Sequence, residues 1–74
     1  MVMIVYGRPQ CQNCVAIKGL AEARGIEVDY RNIDEELEIP AWVEQLKALG
    51  NRTLPFVMRD DGTTFAGLKP DEVR

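Results

Sequence analysis

The chain has 74 residues, 46% of them hydrophobic, and a net charge of −3. That is material for one domain, residues 1–74, with a thin core, because a domain this small buries only about 60% of the surface its unfolded chain exposes. Dispersed acidic charge and few aromatic residues exclude a basic nucleic-acid footprint and a base-stacking surface.

The opening MVMIVYGRP carries a short apolar run with no charge ahead of it. It does not read as a signal peptide and is too short to cross a bilayer, so a cytoplasmic location and no membrane partner are expected. Residues 2–6, apolar and rich in β-branched side chains, predict a strand covered on both faces. Residues 7–10 predict a loop. A helix is predicted over 12–24, where Cys14, Ile17 and Ala21 recur at helical spacing with Leu20 beside them. Gly19 weakens that helix by about 1 kcal/mol relative to alanine, and Gly25 closes it. EVDYRNI, residues 27–33, alternates like a half-covered strand.

The acidic stretch 34–39 favours the N-terminus of a second helix, predicted over 40–49 with Pro40 in its first turn. Trp42, Val43, Leu46 and Leu49 form its expected inner face, and Gly50 caps it. PFVMR, residues 55–59, predicts a third strand. Asp60-Asp61-Gly62 signals a hairpin returning as a strand over 63–66. Phe65 on that strand is expected at an exposed edge or against a partner. Pro70 opens a last short helix. The order β-α-β-α-β-β-α predicts an α/β fold: a crossover joins a parallel pair, the hairpin adds an antiparallel one, and helices pack on the faces of a four-stranded mixed sheet.

The chain has two cysteines, both in GRPQCQNCVAIKGL, residues 7–20. Cys11 falls at the end of the loop and Cys14 in the first helical turn. A Cys-x-x-Cys beside a β-α-β pattern reads as a redox motif. Free backbone N–H groups and the positive helix end favour a thiolate at Cys11, and Arg8 adds a further positive charge. Cys14, on the apolar face with Ile17, is the less exposed thiol, suited to attack a mixed disulfide formed at Cys11. Other readings stand beside this one. A structural staple would close too small a loop to constrain the unfolded chain much. Zinc or an iron–sulfur cluster wants four ligands, and this chain offers two cysteines and no histidine, so either needs a dimer or an outside thiol. Lys18 and Arg52 fit solvated surface charges, Tyr6 fits core packing, and Glu35, Glu36 and Glu38 lack the pattern of a calcium loop. Sequence physics alone leaves the Leu54–Pro55 bond trans.

YGRPQCQNC, NRTLPFV and FAGLKPD, in this order and spacing, resemble the glutaredoxin family in its NrdH-redoxin branch, over residues 2–71. The resemblance implies a thioredoxin fold and thiol–disulfide exchange through a redox-active Cys11–Cys14 disulfide, with Cys11 attacking and Cys14 resolving. It implies no bound cofactor, no metal and a monomer. It places Leu54-Pro55 on the family's Thr-Val-Pro motif, where the proline is cis. Leu54 would then offer its backbone to an incoming peptide as an added strand, with Thr53 and Pro55 shaping the site. Glutathione-using members carry a Gly-Gly-Cys-Asp-like stretch after the hairpin. Here Ala66-Gly67-Leu68-Lys69 stands in that place, and the lysine repels the glutathione amino group instead of pairing with it. The stretch 65–71 instead resembles the Trp-Ser-Gly-Phe-x-Pro-Asp motif of NrdH-redoxins, with Phe65 for the tryptophan and Leu68 for the phenylalanine. Those proteins take electrons from NADPH through thioredoxin reductase and pass them to ribonucleotide reductase. Arg8 and Arg52 fall where glutaredoxins grip glutathione carboxylates, so Arg52, Phe65, Gly67, Leu68 and Lys69 are candidate contacts for a reductase or for glutathione. The alternatives at this point are a glutathione-dependent glutaredoxin, a zinc- or cluster-binding dimer, and a non-catalytic interaction module.

Overall fold

Val2–Gly7 forms strand β1 at the centre of the sheet. Its alternating side chains feed two cores. Met3 and Val5 point to one face, while Ile4 and Tyr6 point to the other. The computed structural model describes residues 2–50 and 53–73. Helix α1 (Gln12–Ala23) leads to β2 (Glu27–Asn32), helix α2 (Ala41–Ala48), β3 (Phe56–Met58), β4 (Thr64–Ala66) and a terminal 3-10 turn over Pro70–Glu72. The sheet order is β2-β1-β3-β4, with β1–β2 parallel and β1–β3 and β3–β4 antiparallel. This is the expected four-stranded mixed sheet. No helix among the described residues is long and apolar enough to cross a membrane.

Ile17 and Ala21 of α1 cover Met3, Val5, Val57 and Phe65 on one face, joined by Val73 beyond the terminal turn. Val43 and Leu46 of α2 cover Tyr6, Phe56 and Ala66 on the other, and Trp42 stands edge-on to Tyr6 at 5.7 Å between ring centroids. Helix α1 stops as its sequence dictates. Gly25 adopts φ +75°, the Gly25 amide donates to the Glu22 carbonyl at 3.0 Å, and the Ile26 amide donates to the Ala21 carbonyl at 2.9 Å.

Several expectations need correction. Phe65 is buried at 5% exposure, not at an open edge. It sits opposite Val57 in the β3–β4 register, with Val73 in the same cluster and the Arg59 guanidinium 5.8 Å from its ring centroid. The terminal turn that completes this wall reads in sequence as a remnant of helix, so its covering role was hidden. The buried Arg59 holds the turn by donating to the Glu72 carbonyl and carboxylate. Leu49 is 80% exposed because α2 ends one residue earlier and Leu49 becomes its cap, outside the helical period. Pro40 is the residue before α2 instead of its first member. Pro55 and Arg59 lie outside β3, and Thr63 outside β4.

Candidate active site

Strand β1 ends at Gly7 and the chain turns through residues 8–10 into α1. Gln10 takes φ +63°, an uncommon left-handed conformation for a side-chain-bearing residue, immediately before Cys11. Cys11 is the N-cap of α1, with extended backbone, and its Sγ accepts the Cys14 amide hydrogen at 3.3 Å. Cys11 and Cys14 are joined as a disulfide with their Cα atoms 5.2 Å apart. Cys14 is fully buried, while Cys11 keeps partial exposure in an apolar depression with Gln12, Val15 and Ala16. Val15 is 63% exposed beside it. The pair is therefore asymmetric. One sulfur can meet a partner, and the other can be reached only through the first.

The charge environment of Cys11 comes from the helix end first. A thiolate in place of the disulfide sulfur would receive the Cys14 amide as a charge-assisted hydrogen bond, in the positive field of α1. Arg8 lies nearby in sequence, but its guanidinium pairs with the Asp34 carboxylate at 2.9 Å. That carboxylate takes up much of its charge, so the helix end carries the larger share. In a Cys14→Ser protein, where Cys11 is the only thiol, an ultraviolet titration is expected to give a midpoint well below the unperturbed value of about 8.5. A midpoint at or above that value would refute the helix-end effect.

The second part of the site is the segment after α2. The Leu54–Pro55 bond is cis. The Pro55 carbonyl accepts the Gly67 amide at 2.9 Å, which ties this segment to the stretch following β4. Gly67 is buried with φ +84°, and a β-carbon there would meet Thr53 at 3.5 Å. Thr53, Leu54, Pro55 and Gly67 thus lie together, with Pro55 and Gly67 buried, Leu54 half-buried and Thr53 exposed, and Leu68 and Lys69 exposed beyond them. Leu54 also lines a cleft of about 440 Å³ with Arg8, Asp34, Ile39, Lys47 and Phe56. Lys47 was missed in sequence, where it reads as an ordinary helix-surface cation. Arg52 lies outside the described residues. Among those described, no group of three or more His, Cys, Asp or Glu side chains could hold a metal ion.

Gly7 and Tyr30 were also missed. A β-carbon on residue 7 would stand 2.7 Å from Cys14 Sγ and 2.6 Å from the Tyr30 hydroxyl oxygen. A glycine closing a buried strand just ahead of the cysteine loop was the signal available.

The glutaredoxin family model matches residues 3–62. The chain belongs to the glutaredoxin family. It is 36% identical over 73 residues to the glutaredoxin-like protein NrdH of Salmonella typhimurium, covering 99% of this chain and 85% of that one. It is 32% identical over 72 residues to the NrdH protein of Lactococcus lactis subsp. lactis, covering 97% and 94%. Among solved structures, the NrdH-redoxin of Escherichia coli superposes with a TM-score of 0.75 at 34% identity, covering 99% of this chain and 91% of that one. The thioredoxin-like protein BC3987 superposes with a TM-score of 0.71 at 21% identity, a likeness of fold alone. The thioredoxin-like fold and the NrdH-type likeness expected from the sequence are both met.

Proposed function

We propose that this chain is a cytoplasmic, monomeric dithiol–disulfide electron carrier, reduced by thioredoxin reductase at the expense of NADPH and donating electrons to ribonucleotide reductase. The observation that carries the chemistry is the Cys11–Cys14 disulfide across the first turn of α1, with Cys11 accessible and Cys14 buried. In the reduced protein the Cys11 thiolate attacks a substrate disulfide and expels one substrate thiol. Cys14 then attacks the Cys11 sulfur of the mixed disulfide. The second substrate thiol leaves, and the Cys11–Cys14 bond re-forms. Two electrons pass to the substrate, and a reductase returns them. Leu54 offers its backbone to the incoming chain as an added strand, with Thr53 and Pro55 shaping that edge. The exposed Leu68 and Lys69 supply the reductase contact, placed by Gly67. The buried Phe65 supports that stretch from beneath.

The choice of donor rests on Lys69, which repels the glutathione amino group, and on the likeness to the E. coli NrdH-redoxin, described as having a thioredoxin-like activity profile. A glutathione-dependent reading has one observation in its favour. The cleft beside Leu54 carries the cation Lys47 next to the Arg8–Asp34 pair, which an incoming carboxylate would have to open. The experiment is NADPH consumption during reduction of a small disulfide, fed either by thioredoxin reductase or by glutathione with glutathione reductase. Turnover with thioredoxin reductase alone is the expected result. Turnover with glutathione alone would replace this reading by a short glutaredoxin gripping the tripeptide through Arg8 and Arg52.

A further inference from the structure

The gap left by Gly7 holds two groups that the exchange chemistry does not yet connect. The place a β-carbon on residue 7 would take is 2.6 Å from the Tyr30 hydroxyl oxygen, 2.7 Å from Cys14 Sγ and 3.0 Å from Cys14 Cβ. The tyrosine hydroxyl and the buried sulfur therefore border one opening that only glycine leaves, no more than about 5.3 Å apart, the sum of 2.6 and 2.7 Å. The parallel register pairs Tyr30 with Val5 and Asn32 with Gly7, and the Tyr30 hydroxyl reaches the Gly7–Arg8 end of β1. Its hydroxyl donates its one hydrogen to the Arg8 carbonyl at 3.0 Å. The oxygen's lone pairs remain free to accept. Cys14 is fully buried, so water offers its thiol no partner when the disulfide opens.

We propose that Tyr30 is a positioning residue for Cys14: in the reduced protein its hydroxyl oxygen accepts the Cys14 S–H, through the gap kept open by Gly7. The disulfide has no S–H to donate, so this contact stabilises the dithiol over the disulfide. It also holds Cys14 protonated and aimed along the disulfide axis until Cys11 carries a partner. The inference rests on the cysteine pair cycling between the two states but on no particular reductase.

Two measurements test it. The first is the infrared S–H stretch of the Cys11→Ser protein, whose one thiol is Cys14. A broadened band at hydrogen-bonded frequency is expected, moving upward and sharpening when Tyr30→Phe is added. A band already at free-thiol frequency, or one that Tyr30→Phe leaves in place, would overturn the proposal. The second is the equilibrium of the intact cysteine pair with dithiothreitol. There the reductant's sulfurs close into a ring disulfide, the Cys11–Cys14 bond opens, and two electrons pass to the protein. Its two protons go to Cys14 and to Cys11 or solvent. Tyr30→Phe keeps the ring and its packing and is expected to shift this equilibrium about two- to fivefold toward the disulfide, the range of one modest hydrogen bond. An unchanged constant, or a shift toward the dithiol, would overturn the proposal. Both readouts stand whichever reductase feeds the protein.

Discussion

Replacing Cys11 with serine is expected to bring disulfide reduction down to background while leaving the fold intact. The hydroxyl of serine does not ionise near neutral pH at a helix end, whereas a thiol there does. Cys14 cannot substitute, since it is fully buried beneath the α1 surface. Stability should fall by no more than about 2 kcal/mol, because the bond closes a loop of only four residues. Cys14→Ser fails differently. Cys11 remains accessible and still attacks, but nothing inside the protein displaces the substrate. The variant stops at a mixed disulfide after one half of the exchange. A staple with no exchange role would give neither result, since both variants would merely lose a little stability.

Gly7→Ala is expected to lower the unfolding free energy by about 1–3 kcal/mol, measured by denaturant unfolding of the oxidised and reduced forms. The added methyl would overlap Cys14 Sγ at 2.7 Å and the Tyr30 hydroxyl at 2.6 Å. Neither neighbour gives way cheaply. Cys14 is fully buried in α1, further tied by its disulfide in the oxidised form, and Tyr30 is anchored to the Arg8 carbonyl. The same exchange at Gly19 has the opposite sign. That glycine sits within α1, and a β-carbon there meets nothing within 4 Å. Gly19→Ala should therefore raise stability by up to about 1 kcal/mol. Equal effects at the two positions would show that the crowding behind Cys14 is not real.

The sheet was legible because its signals are local. The β-branched run of β1, the 3.6-residue recurrence of Cys14, Ile17 and Ala21, and the Asp-Gly turn each name their element without reference to the rest. Crossover length then decides which strands run parallel. The burial of Cys14 followed from the same periodicity, and the exposure of Cys11 from its place at the end of the loop. What stayed hidden depends on contacts between distant segments. Phe65 looked exposed because its cover, Val73, arrives from a turn too short to announce itself. The cis bond before Pro55 came from family likeness and not from the residues. The crowding of Gly7, Cys14 and Tyr30 joins a strand end, a helix turn and the edge strand, and no periodicity in one segment reports on the other two. Arg8 was read as a thiolate partner from its sequence distance to Cys11, yet Asp34, 26 residues away, takes its guanidinium.

The most direct test of exchange through Cys11 is the intact mass and peptide map of Cys14→Ser protein after incubation with a small disulfide. The expected result is a covalent adduct of one substrate half, located on Cys11 and removed by dithiothreitol. An unmodified protein under conditions where the parent chain turns over would contradict the assignment of Cys11 as the attacking sulfur.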